Sequence, residues 1–191
     1  MSGTTQSLAG HLLIAMPNLA DPNFWQAVVL LGVHSEDDGA FGLIVNRTLD
    51  VDLREVLVEL GENPGDGELP DVFGGGPVQP SHGFVLFERG EAQVADDEIA
   101  IADSIVVSGR TETLTRLIQE VGETRYFLFL GYAGWYPGQL EKEIEENSWV
   151  IAPFDESIIF DVPVEERWAA ALRSIGIDPG TLVDAGSVEP S

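Results

Sequence analysis

Cysteine is absent from the 191 residues, and lysine occurs once, as Lys142. Without thiols the chain has no disulfides, iron–sulfur clusters, thiolate zinc sites or cysteine nucleophiles. Positive charge is scarce and dispersed. Nine bases stand against 33 acids, for a formal net charge of −24. The closest bases are Arg110 with Arg116 and Arg167 with Arg173, and neither pair begins a basic run. Nucleic-acid binders displace phosphate counterions with clustered positive charge. Anionic membrane surfaces ask for the same. Direct nucleic-acid binding is therefore disfavoured, and no membrane partner is expected. The acidity itself suits either ordinary solubility or a saline cytoplasm, where screening relieves self-repulsion.

Long apolar runs are also missing. The longest near the start, residues 27–31, is too short to span a bilayer. The opening Met-Ser-Gly-Thr-Thr-Gln-Ser has neither the basic segment nor the apolar core of an export signal. The expected location is cytoplasmic, which makes the sequon Asn46-Arg47-Thr48 incidental.

Several catalytic and cofactor patterns are lacking. Gly74-Gly75-Gly76 is followed by Pro77 and not by the lysine of a phosphate-binding loop. The three glycines also fail the spacing of a dinucleotide fingerprint. No serine has glycine two positions away on both sides. The three histidines, His11, His34 and His82, lack the helical spacing of a zinc pair. No cofactor, metal site or catalytic set is expected.

Patterning is consistent with an α+β chain. Short apolar or β-rich runs at residues 11–16, 27–33, 41–45, 83–87, 125–130 and 149–152 predict strands. One or two more are predicted within residues 97–107. Helical spacing predicts helices over residues 52–60, 111–121 and 164–174, with a fourth beginning at Pro137 and ending at Asn147. Residues 36–39 have hairpin chemistry. Short connections favour mainly antiparallel pairing over a doubly wound sheet. Leu13-Ile14-Ala15-Met16-Pro17 is echoed by Val150-Ile151-Ala152-Pro153, too little to establish a duplication. Residues 61–77 read as a glycine- and proline-rich loop. Residues 1–7 read as a flexible start, 8–174 as one domain, and 175–191 as an acidic tail that frays.

Four blocks then resemble the YqgE/AlgH family. They are residues 12–19 with Asp21 and Phe24, residues 39–47, Gly75-Gly76-Pro77-Val78, and Gly131-Tyr132-Ala133-Gly134-Trp135. The last continues through Gly138, Gln139, Leu140, Glu141, Glu143, Asn147 and Trp149. The resemblance covers residues 8–174. It implies a bent, barrel-like, mainly antiparallel sheet flanked by a few helices, in a cytoplasmic bacterial protein. Some relatives carry the label of transcriptional regulator, and no enzymatic activity is implied.

The leading expectation is a non-enzymatic module that binds a protein or a small ligand, with regulation acting through a protein partner. Its candidate contacts are Gly74, Gly75, Gly76, Pro77, His82, Tyr132, Gly134, Trp135 and Gln139. Glycines allow close backbone approach, and exposed aromatics anchor interfaces. One alternative is an enzyme with a histidine–carboxylate site near His34, where Glu36, Asp37 and Asp38 follow, or near His82. The other is a transcriptional regulator.

Overall fold

The computed structural model describes residues 6–91, 93–120 and 124–186. Nine strands form one sheet: β1 (Leu12–Ala15), β2 (Val28–Ser35), β3 (Gly39–Ile44), β4 (Val72–Gly74), β5 (Val78–Glu88), β6 (Ile99–Ile101), β7 (Ile105–Ser108), β8 (Tyr126–Trp135) and β9 (Trp149–Ala152). The order is β6-β7-β5-β8-β3-β2-β1-β9, an open path. Every neighbouring pair is antiparallel except β4, which lies parallel to β8. The α+β class follows directly. The echoed segments β1 and β9 pair side by side, Leu13 opposite Ile151.

The helices are α1 (Leu53–Glu59), α2 (Thr111–Gln119), α3 (Gln139–Glu145), α4 (Glu156–Phe160), α5 (Arg167–Ser174) and α6 (Pro179–Gly186). Asp52 and Asp155 cap α1 and α4 by accepting from the amides of Arg54 and Ser157, which satisfies donors the helix leaves open. None of these helices is long and apolar enough to cross a membrane.

The sheet bends, so side chains from both halves meet inside. Leu12, Ile14, Val28 and Leu30 from one half share a core with Leu86, Val107 and Phe129 from the other. Trp168 of α5 closes this core, and its indole donates to the carbonyl of Ala15. A second apolar layer lies under α3, around Trp135 and Trp149. A third lies under α1 and α2, around Val85, Leu114 and Leu128.

Three local expectations are corrected. Residues 61–77 are not one continuous loop, because Val72, Phe73 and Gly74 form β4. Glycine density hid a strand whose Val72 and Phe73 are buried. The strand predicted to stop at residue 130 runs on through residue 135 as β8. Within the tail expected to fray, residues 179–186 form α6, and Ile177 and Leu182 pack on the main core, while residues 187–191 lie outside the described residues. The expected end of α2 at Val121 lies outside the described residues.

Candidate functional site

The two segments singled out for glycine and aromatic content do meet. Gly75 donates its amide to Leu130 and accepts from Ile44 through its carbonyl, so it bridges β8 and β3. A Cβ on Gly75 would overlap the carbonyl of Gly131, and one on Gly76 would overlap the backbone of Tyr132. The triple glycine thus lets two backbones pack where the sheet bends. Gly74 lies in β4 against Leu49. Pro77 is exposed.

Trp135 is not a surface anchor. It is 5% exposed, stacks on Phe24 and meets Trp149 edge-on. Tyr132 is half-buried between Phe41 and Phe84, and its ring lies near half-buried Gly134. Exposed Gln139 folds back to accept from the amide of Tyr136. The aromatic that does reach solvent is the next residue, Tyr136, at 82%.

The acids of α3 clamp the helix to the sheet. Glu141 accepts from Nε2 of His34 at 2.5 Å. Glu143 has one buried oxygen without a partner. Burial pushes its carboxyl above the ordinary range, a side-chain hydrogen bond with Trp135 opposes this, and Glu146 and Asp21 add to it. Asn147 ends the motif with φ 61, a left-handed position that asparagine tolerates. The signature from Gly131 to Trp149 is therefore largely scaffold.

His34 satisfies half of the enzymatic alternative. It contacts a carboxylate, but its ring is buried, and the backbone amide of Leu8 donates to its Nδ1 at 2.9 Å. With Nδ1 accepting, Nε2 carries the proton toward Glu141. Both nitrogens are occupied, and Glu36, Asp37 and Asp38 lie in the hairpin turn away from this bond.

His82 stands differently. It is exposed on an irregular stretch of β5, where the pairing with β8 breaks between Val78 and Gly83. Its ring packs on Phe84 and reaches toward Gly109. There it edges a groove of about 270 Å³ between α1 and α2. Val85, Leu128 and Leu130 form the floor, and Val56, Leu60 and Leu114 form the walls. Ser81, His82, Arg110 and Thr111 edge the polar end. Asp97 accepts from Nε of Arg110 at 2.7 Å, and this contact holds its carboxyl below the usual range. Sequence reasoning found His82 but missed the groove, because its walls come from segments far apart in the chain. The Val56–Leu60 spacing on α1 was the available signal.

The geometry defines a class first: an open, bent, mainly antiparallel sheet with helices packed against it and a small groove between two of them. Comparison then supplies the family. A model described as AlgH-like matches residues 12–180, and the chain belongs to this family. A UPF0301 protein of Magnetococcus marinus is 45% identical over 183 residues, covering 94% of this chain and 95% of the relative. One from Paracoccus denitrificans is 42% identical over 187 residues, covering 95% and 97%. The solution structure of the AlgH protein from Pseudomonas aeruginosa has a TM-score of 0.74 at 36% identity, covering 100% of this chain and 98% of that one. A crystal structure of a Corynebacterium diphtheriae protein gives 0.67 at 26%, covering 91% and 89%.

Proposed function

We propose that this protein is a cytoplasmic, non-enzymatic binding module whose ligand sits in the α1–α2 groove beside His82. The observation that carries this reading is the groove itself, a concave apolar site with a few polar groups at one end. Small-molecule sites have that composition. The buried, doubly bonded imidazole of His34 favours binding over acid–base chemistry. Pro77 and Gln139, at the surface of the other candidate face, belong to a secondary contact area.

Direct nucleic-acid contact fits poorly. Arg89, Arg110 and Arg125 pair with carboxylates, while Arg47, Arg54 and Arg167 donate to backbone carbonyls. A regulatory role through a protein partner is the second reading, and Trp25 favours it. Its indole is 68% exposed. Its carbonyl accepts from Arg47, and Asn46 holds the adjoining Gln26 at φ 50. These bonds fix the backbone beside an exposed tryptophan, and exposed tryptophans anchor interfaces.

The test is native mass spectrometry after incubation with a small-molecule extract of the source cells. Wild type and Tyr136→Ala should retain a ligand that Leu60→Asp loses. Retention by Leu60→Asp with loss from Tyr136→Ala would move the site to the α3 turn. A ligand held by none of the three would remove the proposal.

A further inference from the structure

We infer that the groove takes a small amphiphilic carboxylate: one negative head on a short aliphatic chain or single ring. This rests on the binding role proposed above and names the ligand's chemistry. The first observation concerns charge. In a chain of net charge −24, three other surface cavities among the described residues are edged by acids: Glu98 and Glu112 in one, Glu68 in another, Glu62 and Glu112 in a third. Among the described residues, no acid lines the α1–α2 groove. Its charged lining residue is Arg110, which also lines the cavity edged by Glu98 and Glu112 and feels both of those acids, and the imidazole of His82 flanks it on the groove side.

The second observation concerns shape and polarity. Six aliphatic side chains line the groove, and its hydroxyl and nitrogen groups come from Ser81-His82 and Arg110-Thr111, which the approach of His82 to Gly109 brings together at one end. A ligand that fills the groove must bury hydrocarbon along most of its length and present its polar group at that end. A neutral hydrocarbon covering the exposed Ser81, His82 and Thr111 would offer them no acceptor in place of water. An unpaired polar group removed from water is costly, and bonds to a charged group are the stronger kind.

The third consideration is how much negative charge the site can accept. Asp97 already takes Nε and Nη2 of Arg110. One shared cation inside a strongly negative field favours a monoanion over a doubly charged phosphate, which the surrounding acids repel more. About 270 Å³ lies just below the usual range for small-molecule pockets, so a fragment-sized molecule fits and a polymer does not.

Amide shift titrations of the ¹⁵N-labelled full chain test this with hexanoate, its neutral isostere hexanamide, and inorganic phosphate. Hexanoate should move the amides of Ser81, His82, Gly83, Gly109 and Thr111 saturably. Hexanamide should bind about tenfold more weakly or worse, as expected for losing a charged hydrogen bond. Phosphate should leave those amides unmoved. Arg110→Gln should lower hexanoate to the hexanamide level, with thermal unfolding as the folding control. If that variant does not fold, the hexanoate-to-hexanamide ratio decides alone. Equal binding of hexanoate and hexanamide overturns the carboxylate assignment and leaves the binding role standing. Phosphate binding as tightly as hexanoate also overturns it, in favour of a general anion site. If no probe moves these amides, both readings fall.

Discussion

The imidazole Nε2 of His34 donates to Oε1 of Glu141 across 2.5 Å, joining β2 to α3 over 107 positions of sequence. The same ring accepts the amide of Leu8, so one side chain ties the N-terminal segment, a strand and a helix together. His34→Ala should cost about 1–3 kcal/mol, because it strands a half-buried amide and a partly buried carboxylate. The amide of Leu8 should also lose hydrogen-exchange protection. A variant as stable as wild type, with Leu8 still protected, contradicts this role.

Trp135 and Tyr136 are neighbours with opposite fates. Trp135 lies in the apolar layer under α3, whereas the ring of Tyr136 is in solvent. Trp135→Ala should cost about 3–5 kcal/mol by leaving a cavity. Tyr136→Ala should stay within about 0.5 kcal/mol. Urea unfolding measures both, and similar values for the two would refute the assignment of Trp135 to the core.

The fold was more legible than the site. Apolar runs and turn chemistry located most strands, and Asp52 with the spacing of Leu53 and Leu57 located α1. The strand predicted over residues 125–130 stops at Gly131 because glycine usually interrupts strands. Here Gly131 and Gly134 let β8 pass close to Gly76 and to Tyr132's ring. The segment Glu156–Phe160 escaped notice because one helical turn shows no periodicity. The bond between His34 and Glu141, and the meeting of Leu60 with His82 across the groove, depend on distant segments that no local pattern links.

Gly75 tests the backbone contact at the bend. Gly75→Ala would push a methyl group into the carbonyl of Gly131, near the side chain of Leu43. Overpacking of this kind costs about 1–3 kcal/mol or more. Gly67 has open space around it, so Gly67→Ala should be neutral or stabilising by up to about 1 kcal/mol. Thermal melts of the two variants should separate clearly, and equal melts would show that β3 and β8 do not need the glycine.

Glu143 gives a pH-dependent prediction. Burial first, then Glu146 and Asp21, raise its carboxyl, against the bond with Trp135. A raised folded value means the native state holds the proton more tightly than the unfolded chain. That contribution is full below the unfolded value and is lost as pH rises through the folded one. Glu143→Gln removes the buried charge and keeps an oxygen for Trp135. It should therefore melt higher than wild type at neutral pH, with the gap narrowing as the pH falls into the carboxylate range. A gap that widens on acidification has the wrong sign for this account.

The claim on which the rest turns is that recognition happens between α1 and α2, not at the aromatic turn. Methyl shift mapping of the wild type with the retained small-molecule fraction tests it most directly. The largest changes should fall on Leu60, Leu114, Leu128 and Leu130. Changes centred on Pro77, Tyr136 and Gln139, with those four leucines unmoved, would contradict it.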